Sequence, residues 1–346
     1  MSNFLGSLQT CPLVLQWLML PLTTPLFSNM KQNRSRIETM PLWKWMIEIL
    51  IGIVAFFTLY GFGECIFLIP SYSLRIFTFF ISSALILSLF VVWLRLLEQR
   101  WSFELLTNRI RGNISKGVLI GFMFFCLLIS ALALTGNYHG EYASPHWKTI
   151  LMNLSFYLLV ACSEEVMFRG IMFRMIDERF GTWWGIGISA ILFGFAHIIQ
   201  DNATIWSAFA IAIEGGVLLG AAFKYSGSLM FPIGIHWAWN FSEGNIFGLP
   251  VSGGEIEESV FRSTTNGAAI LTGGSFGPEA SIFAIILGAT ISYFLLRAVA
   301  KKVPQLKKSV PPFHQKKTEG RSRITCCTSV PDEDDRGEEV TESAFL

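Results

Sequence analysis

Charge is scarce in this chain: Lys, Arg, Asp and Glu make up 15% of its 346 residues, where an ordinary soluble domain carries about a quarter. Together with 52% hydrophobic residues and a mean hydropathy of +0.50, that scarcity argues against a soluble globule and for a polytopic membrane protein. Paired cysteine spacing is also missing. The six cysteines, Cys11, Cys65, Cys126, Cys162, Cys326 and Cys327, form no metal-binding or disulfide pattern, and most lie in or beside apolar runs, where Cys behaves as a small hydrophobe. No basic, aromatic-interleaved surface suggests nucleic acid, no internal repeat is present, and the His-Glu-x-x-His spacing of zincins is absent. The net charge of +1 excludes little, because a membrane protein distributes its charge loop by loop.

What is present is a series of apolar runs, each long enough to cross ~30 Å of hydrocarbon. They fall at about 43–62, 74–96, 117–136, 147–168, 183–200, 204–223, 228–247 and 280–299, which predicts an all-α transmembrane bundle of about eight spans. Basic residues precede the first span (Lys31, Arg34, Arg36, Lys44) and follow the second (Arg95, Arg100, Arg109, Arg111, Lys116). Others follow the fourth (Arg169, Arg174, Arg179), the sixth (Lys224) and the eighth (Lys301, Lys302, Lys307, Lys308). Because cytoplasmic loops carry the excess of Lys and Arg, both termini are expected in the cytoplasm. The 248–279 connection, rich in Gly, Ser and Thr and carrying Glu255, Glu257 and Glu258, suits the other side.

The chain divides into four regions. Residues 1–42 read as a loose or interfacial segment, since the apolar stretch 11–28 is broken by Pro21 and Pro25 and no basic cluster precedes it. That poor fit motivates the hypothesis that Met30 or Met40 is the true start; recovery of peptides from residues 1–29 of the native protein would exclude it. Residues 43–114 hold two helices and a cytoplasmic loop, and 115–300 hold the remaining helices. Residues 301–346 pass from a basic stretch to "PDEDDRGEE", a composition expected to be a disordered cytoplasmic tail.

Against this apolar background, "ACSEEVMFRG" (161–170) places two glutamates and an arginine inside a span. Charges there cost at least ~2.5–3.5 kcal/mol on insertion scales, so they are functional candidates by default. Glu165 and Arg169 are four apart and share a helix face, in the better order for an ion pair, whereas Glu164 points about 100° away. "LFGFAH" adds Phe193 and His197 one turn apart, and "IHWAWN" adds His236 and Asn240 one turn apart. If the fourth helix runs on to a turn at Gly181, Glu164 and His197 lie at similar depth on adjacent antiparallel helices.

Each feature alone has a bland reading: a lone His or Asn in a span is commonly an interhelical hydrogen-bonding group, and Glu165 with Arg169 is a structural pair. Jointly they suit hydrolysis of a peptide bond. Glu164 takes a proton from water, His197 holds that water, and His236 with Asn240 donates to the oxyanion. Two histidines and a glutamate are also a zinc-compatible donor set, so a metal version with His197, His236 and Glu164 as ligands stands beside the metal-free one. Glu214, in the sixth span, has three candidate roles: pairing with Lys224, snorkelling, or lining the cavity. Gly216 and Gly220, four apart, are expected to permit close helix packing.

These three clusters resemble the motifs of the CPBP family of intramembrane proteases, which includes the type II CAAX prenyl endopeptidases and bacteriocin-processing or self-immunity proteins. Glu164, Glu165 and Arg169 match Glu-Glu-x-x-x-Arg, Phe193 and His197 match Phe-x-x-x-His, and His236 and Asn240 match His-x-x-x-Asn. "GSLMFPIGIHWAWN" (227–240) and "LTGGSFGPEAS" (271–281) resemble their family contexts, and the similarity covers roughly 115–300. It implies a protease core there, with Glu164, His197, His236 and Asn240 catalytic and Glu165, Arg169 and Phe193 in support. The family is classed as metalloprotease, so zinc is an implied cofactor, with a metal-free route also entertained.

The expectation is a multi-pass plasma-membrane endopeptidase, its site opening toward the cytoplasm. Its partners would be the lipid bilayer and a peptide or prenylated (CAAX-type) substrate. The alternative is a non-catalytic peptide-binding or self-immunity protein; a transporter is disfavoured because no paired Gly/Pro-broken helices occur. The chain's own last residues, Ser343-Ala344-Phe345-Leu346, lack the prenylation cysteine, so it is not itself expected to be a CAAX substrate.

Overall fold

The computed structural model describes residues 37–99 and 110–309. The predictions for the N-terminal segment before Ile37, for Arg100 and Arg109, and for the tail beyond Ser309 therefore lie outside the described residues. The compact unit runs through Pro304; of the second unit, Gln305–Leu346, only helical residues 305–309 are described.

The long helices, in chain order, are α1 (Leu42–Glu64), α2 (Tyr72–Leu96), α3 (Ile110–Leu134) and α4 (Trp147–Phe180). They continue with α5 (Thr182–Ala196), α6 (Ile205–Ser226), α7 (Met230–Phe241) and α8 (Ile282–Ser309). Among the described residues, seven helices are long and apolar enough to cross a membrane. The remaining predicted span, 228–247, is α7, which is shorter and lies buried within the bundle, continued by a π-turn over Ser242–Ile246. The chain is a polytopic helical bundle. Large apolar side chains such as Leu50, Phe57, Phe77, Leu127 and Phe294 face outward, which in water would be an untenable surface and in lipid is the expected one.

Close packing rests on glycine where the sequence has it on facing sides. A Cβ on Gly117 or Gly121 of α3 would sit 2.3 Å from the Phe231 or Ile235 carbonyl oxygen of α7, so only glycine lets these helices meet at that distance. Trp239 of α7 then stacks on Phe124 of α3, ring centroids 4.1 Å apart. Of the predicted pair in α6, Gly216 does pack against α5, where an added Cβ would meet Ala190 Cα at 2.7 Å; at Gly220 the nearest atoms stand at ordinary contact distance, 3.8 Å.

Helix α4 runs on to a turn at Gly181 (φ 95°), as predicted. The arginines in its last turns have structural work besides their expected topological one. Arg174 Nη2 donates to Glu98 Oε1 at 2.5 Å, and Arg179 Nη1 donates to the Ile37 and Met40 carbonyls at 3.0 and 2.9 Å. These bonds tie the end of α4 to the chain before α1 and after α2.

Two departures from the predicted pattern concern the connections. Tyr138–Tyr142 (β1) pairs antiparallel with Phe261–Thr265 (β2), a small sheet between segments so far apart in sequence that no hairpin signal exists. His146 Nδ1 lies 2.7 Å from Glu258 Oε1 beside it; this bond to the histidine holds the Glu258 carboxyl below its ordinary value. Helix α8 continues to Ser309, past the boundary that the charged composition after residue 300 predicted, because Lys and Gln are good helix formers once a helix is under way.

Candidate active site

Three of the helices that carry polar residues contain π-turns: Val166–Phe173 in α4, Ala212–Val217 in α6, and Ser242–Ile246 after α7. A π-turn inserts one residue into the helical repeat, rotating the remainder of the helix and leaving backbone carbonyls without their usual partners. Here the guanidinium of Arg169 takes them up. Its Nη2 donates to the Gly215 and Gly216 carbonyls at 3.1 and 3.4 Å, while its Nη1 donates to Glu165 Oε1 at 2.7 Å. Both members of that ion pair are buried, and Phe193 lies under the guanidinium at 4.4 Å. Gly215 leaves the space that Phe193 fills, since a Cβ there would stand 3.1 Å from the ring.

The same Glu165 oxygen lies 3.0 Å from His236 Nδ1. His236 is therefore oriented by a carboxylate that Arg169 itself holds in place, an arrangement that fixes ring and tautomer. Its other nitrogen, Nε2, is turned toward Glu164, 3.9 Å from Oε2. Glu164 Oε2 is buried and accepts no hydrogen bond. His197 begins a short 3-10 turn at the end of α5; its Nδ1 is 2.8 Å from the Phe193 carbonyl oxygen, and its ring packs on Phe193 at 4.8 Å. Both imidazoles thus engage Nδ1 and leave Nε2 open.

A small cavity collects these groups: Phe193, His197, His236 and Asn240 line it, with Glu214, Trp239, Ser252 and Glu279. It has the room and the polar partners to hold a water molecule. Of the sequence-predicted residues, His197, His236, Asn240 and Phe193 share the cavity. Glu164 reaches His236 without being part of that lining, and Glu165 and Arg169 stand behind it. Of the three roles open to Glu214, the cavity is the one observed, because Lys224 pairs with Asp177 at 2.7 Å instead. Sequence reasoning did not single out Trp239, Ser252 or Glu279. Trp239 Nε1 donates to Glu279 Oε1 at 2.8 Å, and the Ser252 amide and hydroxyl donate to Oε2 at 2.9 and 2.8 Å. A glutamate in the otherwise apolar "SFGPEAS" stretch was the available signal.

As metal donors, the open Nε2 atoms of His197 and His236 with Glu164 have the right chemistry, and their Nδ1 contacts are those that metal-bound histidines make. Among the described residues no group of three His, Cys, Asp or Glu side chains is placed together to hold a metal ion.

A multi-span helical protein with two histidines and an asparagine lining one cavity, and a glutamate against one of those histidines, is the class that fold and site define. Residues 146–242 match the family model of the type II CAAX prenyl endopeptidases, Rce1-like, which bears out the family resemblance read from the motifs. An uncharacterized 24.3 kDa protein of Escherichia coli is 32% identical over 90 residues, 25% of this chain and 40% of that protein. The chain thus spans about 40% of the length of this curated relative. No solved structure matches the chain.

Proposed function

We propose that the protein is an intramembrane endopeptidase that hydrolyses a peptide bond of a membrane-associated or prenylated substrate with Glu164 as general base. The observation that carries the reading is the placement of His236, whose two ring nitrogens face Glu165 at 3.0 Å and Glu164 at 3.9 Å while the ring borders the cavity.

In this reading a water between Glu164 and His197 gives a proton to the Glu164 carboxylate as its oxygen adds to the scissile carbonyl. His197, its Nδ1 turned to the Phe193 carbonyl, keeps Nε2 for the same water. The carbonyl oxygen becomes an oxyanion. The Asn240 amide donates to it, and so does His236 Nε2, which requires that His236 carry both ring protons between its two glutamates. The proton on Glu164 then passes to the leaving nitrogen as the C–N bond breaks. No step is routed through a metal, because the donors do not converge as a metal site. If zinc is resident, His197, His236 and Glu164 are the residues to hold it, and it would supply Lewis-acid activation of the water.

The test is cleavage of a quenched prenylated peptide and of a membrane-peptide library by the purified protein in liposomes. Glu164→Gln is expected to lower kcat by roughly 10²–10⁴-fold. Loss of activity on chelation, restored by zinc, would move the mechanism to the metal form. A biological phenotype that survives Glu164→Gln would instead favour the non-catalytic binding or self-immunity reading, since Gln cannot accept the proton.

A further inference from the structure

The mechanism leaves two acidic residues of the cavity lining unused, Glu214 and Glu279, and a third glutamate, Glu243, is buried outside that lining. Glu214, Glu243 and Glu279 are all buried, at 1%, 0% and 3% exposure, and they come from three separate places: the π-turn of α6, the π-turn after α7, and the turn before α8. Among the described residues no lysine, arginine or histidine pairs with any of them. Three carboxyl groups buried without a countercharge cannot all stay ionised: each must take up a proton or meet a cation.

The three are not equivalent. Glu279 is saturated, receiving the Trp239 indole and both donors of Ser252. Neither oxygen of Glu243 has a side-chain donor, and the residue is not part of the cavity lining. That leaves Glu214. Its Oε2 is buried without a hydrogen bond, and the residue borders the cavity that also holds His197, His236 and Asn240. Glu214 is therefore the lining carboxyl group with an unpartnered oxygen, facing the space where the proposed scissile bond would lie, with the hydrogen-bonded Glu279 in the same lining.

We infer that Glu214 is a substrate-recognition residue: it receives an ammonium or guanidinium group of the substrate, a basic side chain close to the scissile bond. The inference rests on the peptidase reading and adds the class of substrate. The alternative source of positive charge at Glu214, a proton held permanently by the side chain, gives no preference for cationic ligands.

The test separates recognition from cleavage by using the full-length Glu164→Gln protein in detergent. Fluorescent peptides of one frame carry a single lysine at each central position in turn, each paired with its norleucine counterpart, which keeps the chain length and removes the charge. At one or two adjacent positions the lysine peptide is expected to bind at least about tenfold more tightly, the scale of a charge-assisted hydrogen bond. Adding Glu214→Gln should bring that ratio to within about twofold while the norleucine affinity, which reports the folded state, stays the same. Absence of lysine preference at every position, its survival in the double variant, or no measurable binding of any lysine peptide would each overturn the inference. Should Glu214→Gln unfold the protein, competition by n-butylammonium against n-butanol on the single variant decides: the ammonium alone must displace the lysine peptide, and equal competition overturns it. Failure of wild-type cleavage would sink the peptidase reading without touching this binding result.

Discussion

Glu164 and Glu165 are adjacent, chemically identical and surrounded in opposite ways, and the difference predicts opposite responses to one substitution. Glu165 is buried and paired with both Arg169 and His236, so Glu165→Gln leaves the Arg169 charge uncompensated in a dry interior, at a cost of about 3–5 kcal/mol. Its thermal unfolding midpoint in detergent should fall well below wild type. Glu164 has a buried oxygen with no donor and an open side, so Glu164→Gln removes a proton acceptor and no bond. Its midpoint should stay close to that of wild type while cleavage is lost. Arg169→Lys should resemble Glu165→Gln, because a single ammonium cannot serve the Glu165 carboxylate and the Gly215 and Gly216 carbonyls together.

Among the elements, the contact of α5 with α6 is set by glycine on both helices, Gly216 of α6 and Gly194 of α5, whose added Cβ would stand 2.2 Å from the Ala208 carbonyl oxygen, while Gly187 lies off it. Gly216→Ala puts a methyl 2.7 Å from Ala190 Cα, whereas Gly187, in α5, has nothing within 4 Å. Gly216→Ala should therefore destabilise by about 1–3 kcal/mol through overpacking. Gly187→Ala should be neutral or stabilise by about 0.5–1 kcal/mol by lowering the entropy of the unfolded chain. Chemical denaturation of the two variants in one detergent checks both. The π-turns are where sequence reading ran out. Residues four apart share a face in any α-helix, so the pairs Glu165/Arg169, Phe193/His197 and His236/Asn240 could be read directly from spacing. An extra residue in a turn has no compositional signature, so the direction of Glu214 could not be read, nor could the meeting of Glu243 with a glutamate delivered by a distant loop.

For the whole molecule, hydropathy located every helix, because a ~30 Å apolar slab imposes an apolar run on every span, but not the ends of α3, α4, α7 and α8, which differ by six residues or more. It gave neither the β1–β2 pairing nor the closure of the cavity by the connection between α7 and α8, since both depend on contacts remote in sequence. That closure bears on orientation. Ser252 and Glu279, from the connection that the charge pattern places outside the cytoplasm, line the same cavity as His197 and Asn240. If the pattern holds, exposed Glu257, replaced by Cys in a background with Cys11, Cys65, Cys126, Cys162, Cys326 and Cys327 replaced by Ser, should react in intact cells with a membrane-impermeant thiol reagent. Reaction only after permeabilisation would put the connection on the cytoplasmic side. Helix α4 adds a constraint of another kind. Its 34 residues extend about 50 Å, well beyond the hydrocarbon slab, and Glu164 lies near their midpoint. Bilayers of different thickness can then be accommodated by tilt or by exposure of the two ends, so turnover in liposomes should vary less with acyl-chain length than the reactivity of labels placed at either end of this helix.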